Sequence, residues 1–325
     1  MRAIAISKPG GPDVLTLVER ESPQPSRGEV RVRVRGTAVN RADLLQRMGA
    51  YPAPPDAPPD IPGLEIAGEV NAVGPGVERL KVGDRVFGLV GGGGYAEEIV
   101  SHERALARIP DGMSFEDAAA VPEAYCTAHD AIVTQAQIKS GEVLLVHAVG
   151  SGVGTAAVQL ARALGAAVVG TARTPDKLER AKELGMEFGV VAEGGTFADA
   201  TRKVAPNGVD VVLELVGGNY VAEDLRCVAT LGRIVLVGLM AGTKGDLDLG
   251  LVLRKRARIF GTVLRARPLE EKIAAMRAFE AQVVPLLARG SLKPIVDCVM
   301  PLADAGKAHE RMQSNAGFGK IVLKV

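Results

Sequence analysis

The run from Val143 to Arg162, VLLVHAVGSGVGTAAVQLAR, constrains the fold of this chain more than any other segment. An apolar stretch leads into a turn, and an apolar-faced helix is predicted after the turn. The turn and the start of the helix contain small residues: Gly150, Ser151, Gly152, Val153 and Gly154. Small residues let the backbone approach phosphate groups, and a helix N-terminus offers free N–H groups and a positive dipole end. The segment therefore predicts a strand–turn–helix unit that binds the pyrophosphate of a dinucleotide.

The turn departs from the strict pattern G-x-G-x-x-G. When the pattern is aligned on Gly154, its first two glycines fall on Val149 and Ser151. A glycine cluster alone is weak evidence, because many turns contain glycine. The flanking strand and helix are what favour dinucleotide binding over an ordinary turn.

The residues after the next predicted strand indicate which dinucleotide binds. NAD-binding folds place Asp or Glu about 20 residues beyond the glycines, where it binds the ribose 2′-hydroxyl. Here that position is Ala172, and Arg173, Thr174 and Lys177 follow it. Asp176 also falls in this window, but it lies inside the predicted start of the next helix, where it would stabilise the helix dipole. Two cations and a hydroxyl suit a 2′-phosphate, which predicts NADPH rather than NADH. The alternative is that Thr174 only caps the following helix and Lys177 is a solvated side chain.

Composition excludes several classes of protein. The chain has 39 basic and 38 acidic residues, so it lacks the bulk charge on which polyanion binding depends. Only 3% of its residues are aromatic, which argues against a nucleic-acid partner bound by base stacking. Its three cysteines form no CxxC pair, which argues against a cysteine-rich zinc site or a disulfide framework and favours the cytoplasm. Val143–Ala161 carries no charge over 19 residues, but its glycines and polar residues predict no membrane span.

Residues 1–122 are predicted to be rich in strands. The predicted strands are Arg2–Ile6, Leu15–Val18, Glu29–Val39, Gly68–Val73 and Arg85–Gly88. Tyr51–Pro62 contains six prolines and is predicted to be a stiff loop.

From about Ser114, strand and helix patterns alternate, which predicts an α/β fold with a doubly wound parallel sheet. The predicted strands are Val143–Ala148, Ala167–Thr171, Val209–Leu213, Arg233–Val237 and Ile321–Val325. The predicted helices are Val153–Leu164, Pro175–Leu184, Pro268–Leu287 and Ala303–Met312.

Motifs spread over nearly the whole chain resemble the quinone oxidoreductase (zeta-crystallin-like) branch of the medium-chain dehydrogenase/reductase superfamily. They are Asn40–Pro52 (NRADLLQRMGAYP), Gly63–Val70 (GLEIAGEV), Pro122–His129 (PEAYCTAH), Gly141–Arg162, Gly238–Gly242 (GLMAG) and Gly317–Leu323 (GFGKIVL). The resemblance implies a GroES-like substrate domain, residues 1–122 and 263–325, and a Rossmann domain, residues 123–262, that binds NADPH. It also implies a homodimer or homotetramer joined through a sheet edge near Ile259–Leu264.

The zinc alcohol dehydrogenases of the same superfamily bind a catalytic zinc ion, and this sequence lacks suitable ligands. The corresponding positions are Asn40, Leu64 and about Glu123. A leucine side chain cannot bind a metal, and Asn is a poor zinc ligand. The four histidines do not form a ligand cluster by their spacing. We therefore expect no metal and reduction of an acceptor that spreads negative charge over a conjugated system.

The resemblance also suggests residues beside the nicotinamide. Asn40, Tyr51 and Ser151 are the catalytic candidates, although Asn40 with Asp43 could simply cap a helix over Arg41–Arg47. Tyr51 could donate a proton, stack on a quinone, or only anchor its loop. The remaining cofactor candidates, each of which could instead be structural, are Thr127, Gly238, Leu239, Met240, Leu264, Arg265 and Lys320. Glu65 could be an active-site acid or half of a salt bridge.

The sequence thus predicts an NADPH-dependent, metal-independent quinone oxidoreductase. Two alternatives remain open. One is an NADPH-dependent reductase of alkenals or enones, and the other is a non-catalytic NADPH-binding redox sensor or RNA-binding protein.

Overall fold

The fold of residues 1–325 was obtained as a computed structural model. The chain forms two compact units, which are described separately. One unit combines Met1–Cys126 with Leu264–Val325, and the other spans Thr127–Val263. No helix of the chain is both long enough and apolar enough to cross a bilayer.

The strands are β1 (Arg2–Ile6), β2 (Leu15–Glu19), β3 (Glu29–Val39), β4 (Glu65–Val73), β5 (Arg85–Leu89), β6 (Glu98–His102), β7 (Leu106–Arg108), β8 (Val143–Val146), β9 (Ala167–Ala172), β10 (Phe188–Val191), β11 (Val209–Glu214), β12 (Val228–Leu236), β13 (Arg258–Gly261), β14 (Val296–Pro301) and β15 (Lys320–Lys324). The α-helices are α1 (Arg41–Arg47), α2 (Phe115–Ala119), α3 (Pro122–His129), α4 (Gly152–Ala163), α5 (Pro175–Glu183), α6 (Ala198–Val204), α7 (Tyr220–Cys227), α8 (Leu249–Lys255), α9 (Leu269–Gln282), α10 (Val284–Ala288) and α11 (Ala305–Ser314). A π-helical segment follows α3 at Asp130–Gln135, and short 3-10 turns lie at Pro12–Val14, Glu103–Ala105 and Leu302–Asp304.

The first unit is built around a mixed sheet whose central strand is β3. Val30, Val32 and Val34 alternate with arginines along β3 and are buried, as the alternating pattern predicts. The sheet runs β14-β15-β3-β4-β5-β7, and β6 also pairs with β3. Because β15 pairs antiparallel with β3, the C-terminal segment completes the sheet that the N-terminal segment begins.

The second unit is a six-stranded parallel sheet in the order β10-β9-β8-β11-β12-β13. If the six strands β8 to β13 are numbered 1 to 6 along the chain, their order across the sheet is 3-2-1-4-5-6, which is the Rossmann arrangement. Buried apolar residues of β8, β9, β11 and β12 join side chains of α6 and α7 in one core. The strand β13 lies at the edge of the sheet, and the subunit contact expected near it remains a prediction.

The structure confirms the predicted bounds of β1 and β3 and shifts most other predicted elements by a few residues. The single helix predicted over Pro268–Leu287 is wrong, because α9 ends at Gln282 and α10 begins at Val284. Pro285 lies in the first turn of α10, and proline cannot supply the N–H that a continuous helix needs there. The short strands β6, β7, β10 and β14 were not predicted, and β13 lies at the sheet edge that the resemblance implied near Ile259–Leu264.

Candidate functional site

The turn after β8 lies where the strand order of the parallel sheet reverses. The strand β8 pairs with β9 on one side and with β11 on the other. Open α/β sheets bind ligands at the carboxyl ends of the strands flanking such a point. The turn predicted to hold a pyrophosphate therefore lies where this fold class binds its ligands.

Ser151 is the N-cap of α4. Its Oγ accepts a hydrogen bond of 3.0 Å from the backbone N–H of Gly154. A hydroxyl that accepts this bond keeps its own O–H, which can donate to a phosphate oxygen. The serine that replaces a pattern glycine thus organises the helix N-terminus without removing a donor.

The turn is too tightly packed for larger residues. A Cβ atom on Gly154 would lie 2.6 Å from the carbonyl oxygen of Ala148, so only glycine fits there. Ala148 itself has a φ of 46°, in the left-handed region. Gly150 is buried, whereas Ser151, Gly152 and Val153 are partly exposed. A close-packed turn with an accessible helix start fits the pyrophosphate of a dinucleotide.

The residues expected at the 2′-phosphate lie together at the start of α5. Ala172 ends β9 and is buried, Arg173 and Thr174 are exposed, and Lys177 is partly exposed. Thr174 is the N-cap by position, but its side chain makes no capping bond and instead binds Asp176. No carboxylate takes the place of Ala172, so the residues present fit a phosphorylated ribose.

The loop after β12 lies against the end of β11. A Cβ atom on Gly238 would lie 2.5 Å from the carbonyl oxygen of Leu215, so the two segments are closely packed. The backbone N–H of Ala241 donates a hydrogen bond to the carbonyl oxygen of Val216. The apolar side chains of Leu239 and Met240 are about half exposed, at 48% and 50%. The loop therefore presents apolar surface at the carboxyl end of the sheet, where a cofactor ring could pack.

A buried cluster beneath this edge was missed by sequence reasoning. The side chain of His147 lies with those of Glu214 and Asp224, and all three are fully buried. His147 Nε2 lies 2.7 Å from Asp224 Oδ1, and its Nδ1 lies 2.7 Å from Thr171 Oγ1. The three residues come from distant segments of the chain, so their spacing gave no signal.

This cluster contains residue types that bind metals, but its geometry is that of a hydrogen-bond network. A tetrahedral zinc ion about 2.0 Å from each ligand would hold the ligand atoms about 3.3 Å apart. The contact of 2.7 Å between His147 and Asp224 is shorter and has the length of a hydrogen bond. Burial lowers the pKa of His147 to about 4 and raises those of Glu214 and Asp224 to about 8. Near neutral pH the cluster therefore holds protons on its carboxyl groups.

Glu214 also fixes the turn that supports the loop after β12. Its Oε1 accepts hydrogen bonds from the backbone N–H groups of Val216 and Gly217. Gly218 in turn donates its N–H to the carbonyl of Gly242 over 3.0 Å. The buried cluster thus supports the loop that contains Gly238, Leu239 and Met240.

In the first unit, Asn40 belongs to a second polar cluster. The amide Nδ2 of Asn40 donates to Glu65 Oε1 over 2.8 Å, and the amide oxygen Oδ1 of Asn40 accepts a hydrogen bond from Lys320 Nζ. Lys320 Nζ also lies 2.7 Å from Glu65 Oε1, and both residues are buried. The structural alternatives predicted for these residues are both observed: Asn40 and Asp43 form a capping box on α1, and Glu65 is half of a salt bridge. Their roles at an active site stay predictions. The ammonium group of Lys320 is engaged within the unit.

Arg265 organises the loop that carries Tyr51. Its guanidinium donates to Gly91 O, Tyr51 O and Gln46 Oε1, and it lies 5.1 Å from the centre of the Tyr51 ring. Leu264 beside it is buried, and so is Thr127 on α3. The proline-rich loop is therefore held by Arg265, which agrees with the structural alternative left open for this residue, and its contact with the cofactor stays a prediction.

A small pocket of the first unit contains Glu123. The pocket is lined by Leu64, Leu89, Val90, Glu123, Leu264, Arg265 and Lys272. Burial, followed by the negative charge of Glu65, raises the pKa of Glu123 to about 8. An acid that stays protonated at neutral pH inside a mostly apolar pocket is a candidate functional group.

The positions that correspond to zinc ligands do not fit a catalytic zinc ion. Leu64 offers no ligand atom and is buried. The amide of Asn40 is already engaged as donor to Glu65 and as acceptor from Lys320. Glu123 alone cannot hold the ion, because catalytic zinc sites use three protein ligands.

Comparison with known proteins identifies the family. Residues 26–111 match the alcohol dehydrogenase GroES-like domain, and residues 152–281 match the zinc-binding dehydrogenase family. Quinone oxidoreductase of Lama guanicoe is 33% identical over 329 residues, covering 99% of this chain and 97% of that protein.

Two solved structures are similar over the full length of both chains. Escherichia coli quinone oxidoreductase complexed with NADPH gives a TM-score of 0.88 at 30% identity, with 100% of each chain covered. An NAD-dependent alcohol dehydrogenase gives a TM-score of 0.89 at 33% identity, also with 100% of each chain covered. The chain therefore belongs to the quinone oxidoreductase branch of the medium-chain dehydrogenase/reductase superfamily, with a GroES-like domain and a Rossmann domain.

Proposed function

We propose that the protein is an oxidoreductase that uses NADPH to reduce a quinone or a conjugated carbonyl compound without a metal ion. The observation that carries the coenzyme choice is the end of β9, where Ala172 takes the place of a carboxylate and is followed by Arg173 and Lys177. A carboxylate there would bind a free 2′-hydroxyl and repel a 2′-phosphate. The two cations instead attract the phosphate.

Two parts of the Rossmann domain hold the coenzyme in this proposal. The N–H groups at the start of α4 and the Ser151 hydroxyl bind the pyrophosphate, and Gly238 with Leu239 and Met240 supports the nicotinamide half. When bound, NADPH supplies a hydride to the acceptor. In the first unit, Asn40 and Tyr51, with the pocket that contains Leu264 and Arg265, are the proposed contacts of the acceptor. In the second unit, Thr127 is a further proposed contact of the nicotinamide.

The choice of acceptor follows from the poor fit to zinc. A simple ketone needs a Lewis acid to stabilise the alkoxide that hydride transfer forms. A quinone or an enone spreads the same charge over a conjugated system, and hydrogen-bond donors suffice. The similarity to proteins named quinone oxidoreductase supports the quinone as the first acceptor to test.

The first experiment measures NADPH oxidation with a panel of small quinones and 2-alkenals, with and without a chelator. We expect quinones to be reduced faster than alkenals and the rates to be unchanged by the chelator. Faster alkenal turnover would favour the enone reductase. Chelator-sensitive turnover, or no turnover of any acceptor, would contradict the proposal.

The coenzyme assignment predicts the effect of Lys177→Ala. A lost charge-assisted bond to phosphate is worth about 1.5–3 kcal/mol, so NADPH should bind roughly 10- to 100-fold more weakly while NADH is unaffected. Lys182→Ala on the same helix is the matched control, because Lys182 pairs with Glu179 in the last turn. Titrations of both coenzymes by fluorescence measure the effect. Equal weakening of NADPH and NADH would contradict the assignment.

A further inference from the structure

The pocket of the first unit contains one group suited to supply a proton. Its lining is apolar except for Glu123, Arg265 and Lys272. The guanidinium of Arg265 is engaged with Gly91, Tyr51 and Gln46, and Lys272 Nζ lies 3.1 Å from Asp56 Oδ2. An ammonium or guanidinium group stabilises an anion but is a poor proton donor near neutral pH, since its ordinary pKa is above 10. The third polar group of the lining, the carboxyl group of Glu123, is the only carboxylic acid among them.

The fold places Glu123 beside charges that act on it in opposite directions. Its backbone N–H donates to Glu65 Oε2 over 2.8 Å, so the Glu65 carboxylate holds the first turn of α3. Glu65 and Asp43 disfavour ionisation of Glu123, and Lys320 and Arg265 favour it. Burial outweighs the two cations, and the carboxyl group keeps its proton at neutral pH.

Tyr51 is the competing proton donor, and the structure favours Glu123 over it. Burial raises the pKa of the Tyr51 hydroxyl above its ordinary value of 10.0. General acid catalysis is most efficient when the pKa of the donor lies near the working pH. A carboxyl group that titrates near pH 8 meets this condition, whereas a phenol that titrates above 10 does not.

We propose that Glu123 is the general acid that protonates the reduced oxygen of the acceptor. This inference rests on the proposed reductase function and deepens it. Hydride uptake brings two electrons to the quinone and leaves one oxygen as an anion. The O–H bond of the Glu123 carboxyl group then breaks, a new O–H bond forms on that oxygen, and the product is the neutral hydroquinone. The Glu123 carboxylate regains its proton from water.

The test is the pH dependence of quinone reduction by the wild type, Glu123→Gln and Tyr51→Phe. We expect the wild-type kcat/KM to fall above about pH 8, as Glu123 loses its proton. Glu123→Gln should lower kcat about 100-fold at pH 7, which is typical for the loss of a general acid, and abolish the fall above pH 8. Its affinity for NADPH should be unchanged. Tyr51→Phe should keep the fall above pH 8.

Matched variants separate catalysis from folding. Glu116→Gln is the control, because Glu116 also lies in the first turn of a helix of this unit and pairs at the surface with Lys324. It should behave like the wild type. If Glu123→Gln fails to fold, Glu123→Asp is the alternative, because it keeps the carboxyl group on a side chain that is one methylene shorter. It should lower kcat while kcat/KM still falls above pH 8.

Three results would overturn the inference: no alkaline fall in the wild type, an unimpaired Glu123→Gln, or loss of the fall in Tyr51→Phe alone. Infrared titration of the carboxyl stretch gives a readout that does not need turnover. A protonated band that disappears near pH 8 and is missing from Glu123→Gln supports the inference even if every acceptor tested is inert and the reductase proposal fails. Absence of that band overturns it even if quinones are reduced.

Discussion

The polar residues of the first unit show which contacts of single residues a sequence can predict. The capping box of Asn40 and Asp43 was foreseeable, because its members lie three residues apart and follow a general rule for helix starts. The hydrogen bond from Lys320 to Asn40 could not be predicted, because it joins residues 280 positions apart in the chain. The resemblance suggested Lys320 as a cofactor contact or a structural residue, and the structure pairs it with Glu65, while contact with the cofactor stays a prediction.

Loss of Lys320 should destabilise the protein strongly. Lys320→Met would leave the fully buried carboxylate of Glu65 without its cation, and breaking a buried ion pair this way costs about 3–5 kcal/mol. Lys324→Met is the matched control on the same strand, because Lys324 is 63% exposed and its pair with Glu116 is worth about 0–1 kcal/mol. Urea unfolding of both variants measures the difference. Equal losses of stability would show that Glu65 does not depend on the lysine.

Elements with a strong local signal were predictable, and those held by distant contacts were not. The strand–turn–helix of β8 and α4 combines an apolar run, small residues and an amphipathic pattern within 20 residues, so its type was correct. The short strands β10 and β14 have four and six residues and depend on pairing with β9 and β15. Such strands carry little periodicity of their own.

The cap on α4 should contribute both to stability and to coenzyme binding. Ser151→Ala removes the acceptor for the Gly154 N–H and should cost about 1 kcal/mol of stability. It also removes the hydroxyl proposed to meet the pyrophosphate, so NADPH should bind about 10-fold more weakly. Ser114→Ala is the matched control, because Ser114 caps α2 through the same contact, to the N–H of Asp117.

Thermal unfolding and fluorescence titration of NADPH separate the two effects of Ser151→Ala. Both serine variants should lose similar stability, and only Ser151→Ala should lose affinity. A Ser151→Ala variant that binds NADPH as tightly as Ser114→Ala would show that the hydroxyl acts only as a helix cap.

At the scale of the whole molecule, chain order predicted more than residue spacing did. Alternating strands and helices indicated the parallel sheet. The family resemblance implied that the C-terminal segment returns to the first unit, and β15 does so by pairing with β3. The buried cluster of His147, Glu214 and Asp224 was invisible to sequence reasoning. It is assembled by the folded sheet, and no spacing along the chain encodes it.

This cluster should make the stability of the molecule depend on pH. Glu214 has a pKa of about 8 in the folded protein and an ordinary value of 4.5, so between these the folded state binds more protons than the unfolded chain. Stability contributed by the protonated carboxyl group is therefore present at low pH and is lost as the pH rises toward 8. The pKa of His147 is lowered from 6.5 to about 4. Its titration therefore makes stability rise with pH, but only below pH 6.5. The loss due to Glu214 should thus be clearest between pH 6.5 and 8.

Glu214→Gln tests this dependence. Glutamine keeps an oxygen to accept the N–H bonds of Val216 and Gly217, and its amide can donate toward Asp224 without titrating. We expect its melting temperature to fall less between pH 6.5 and 8 than that of the wild type.

Glu183→Gln is the control, because Glu183 is exposed on α5, and this variant should follow the wild type. Asp43, Glu123 and Asp224 also titrate with raised pKa values and are present in all three proteins. The difference in slope therefore reports the loss of the Glu214 carboxyl group, together with the effect of that loss on its neighbour Asp224. Identical slopes for Glu214→Gln and the wild type would mean that the buried carboxyl group is already ionised near neutral pH and that a counter-charge compensates it.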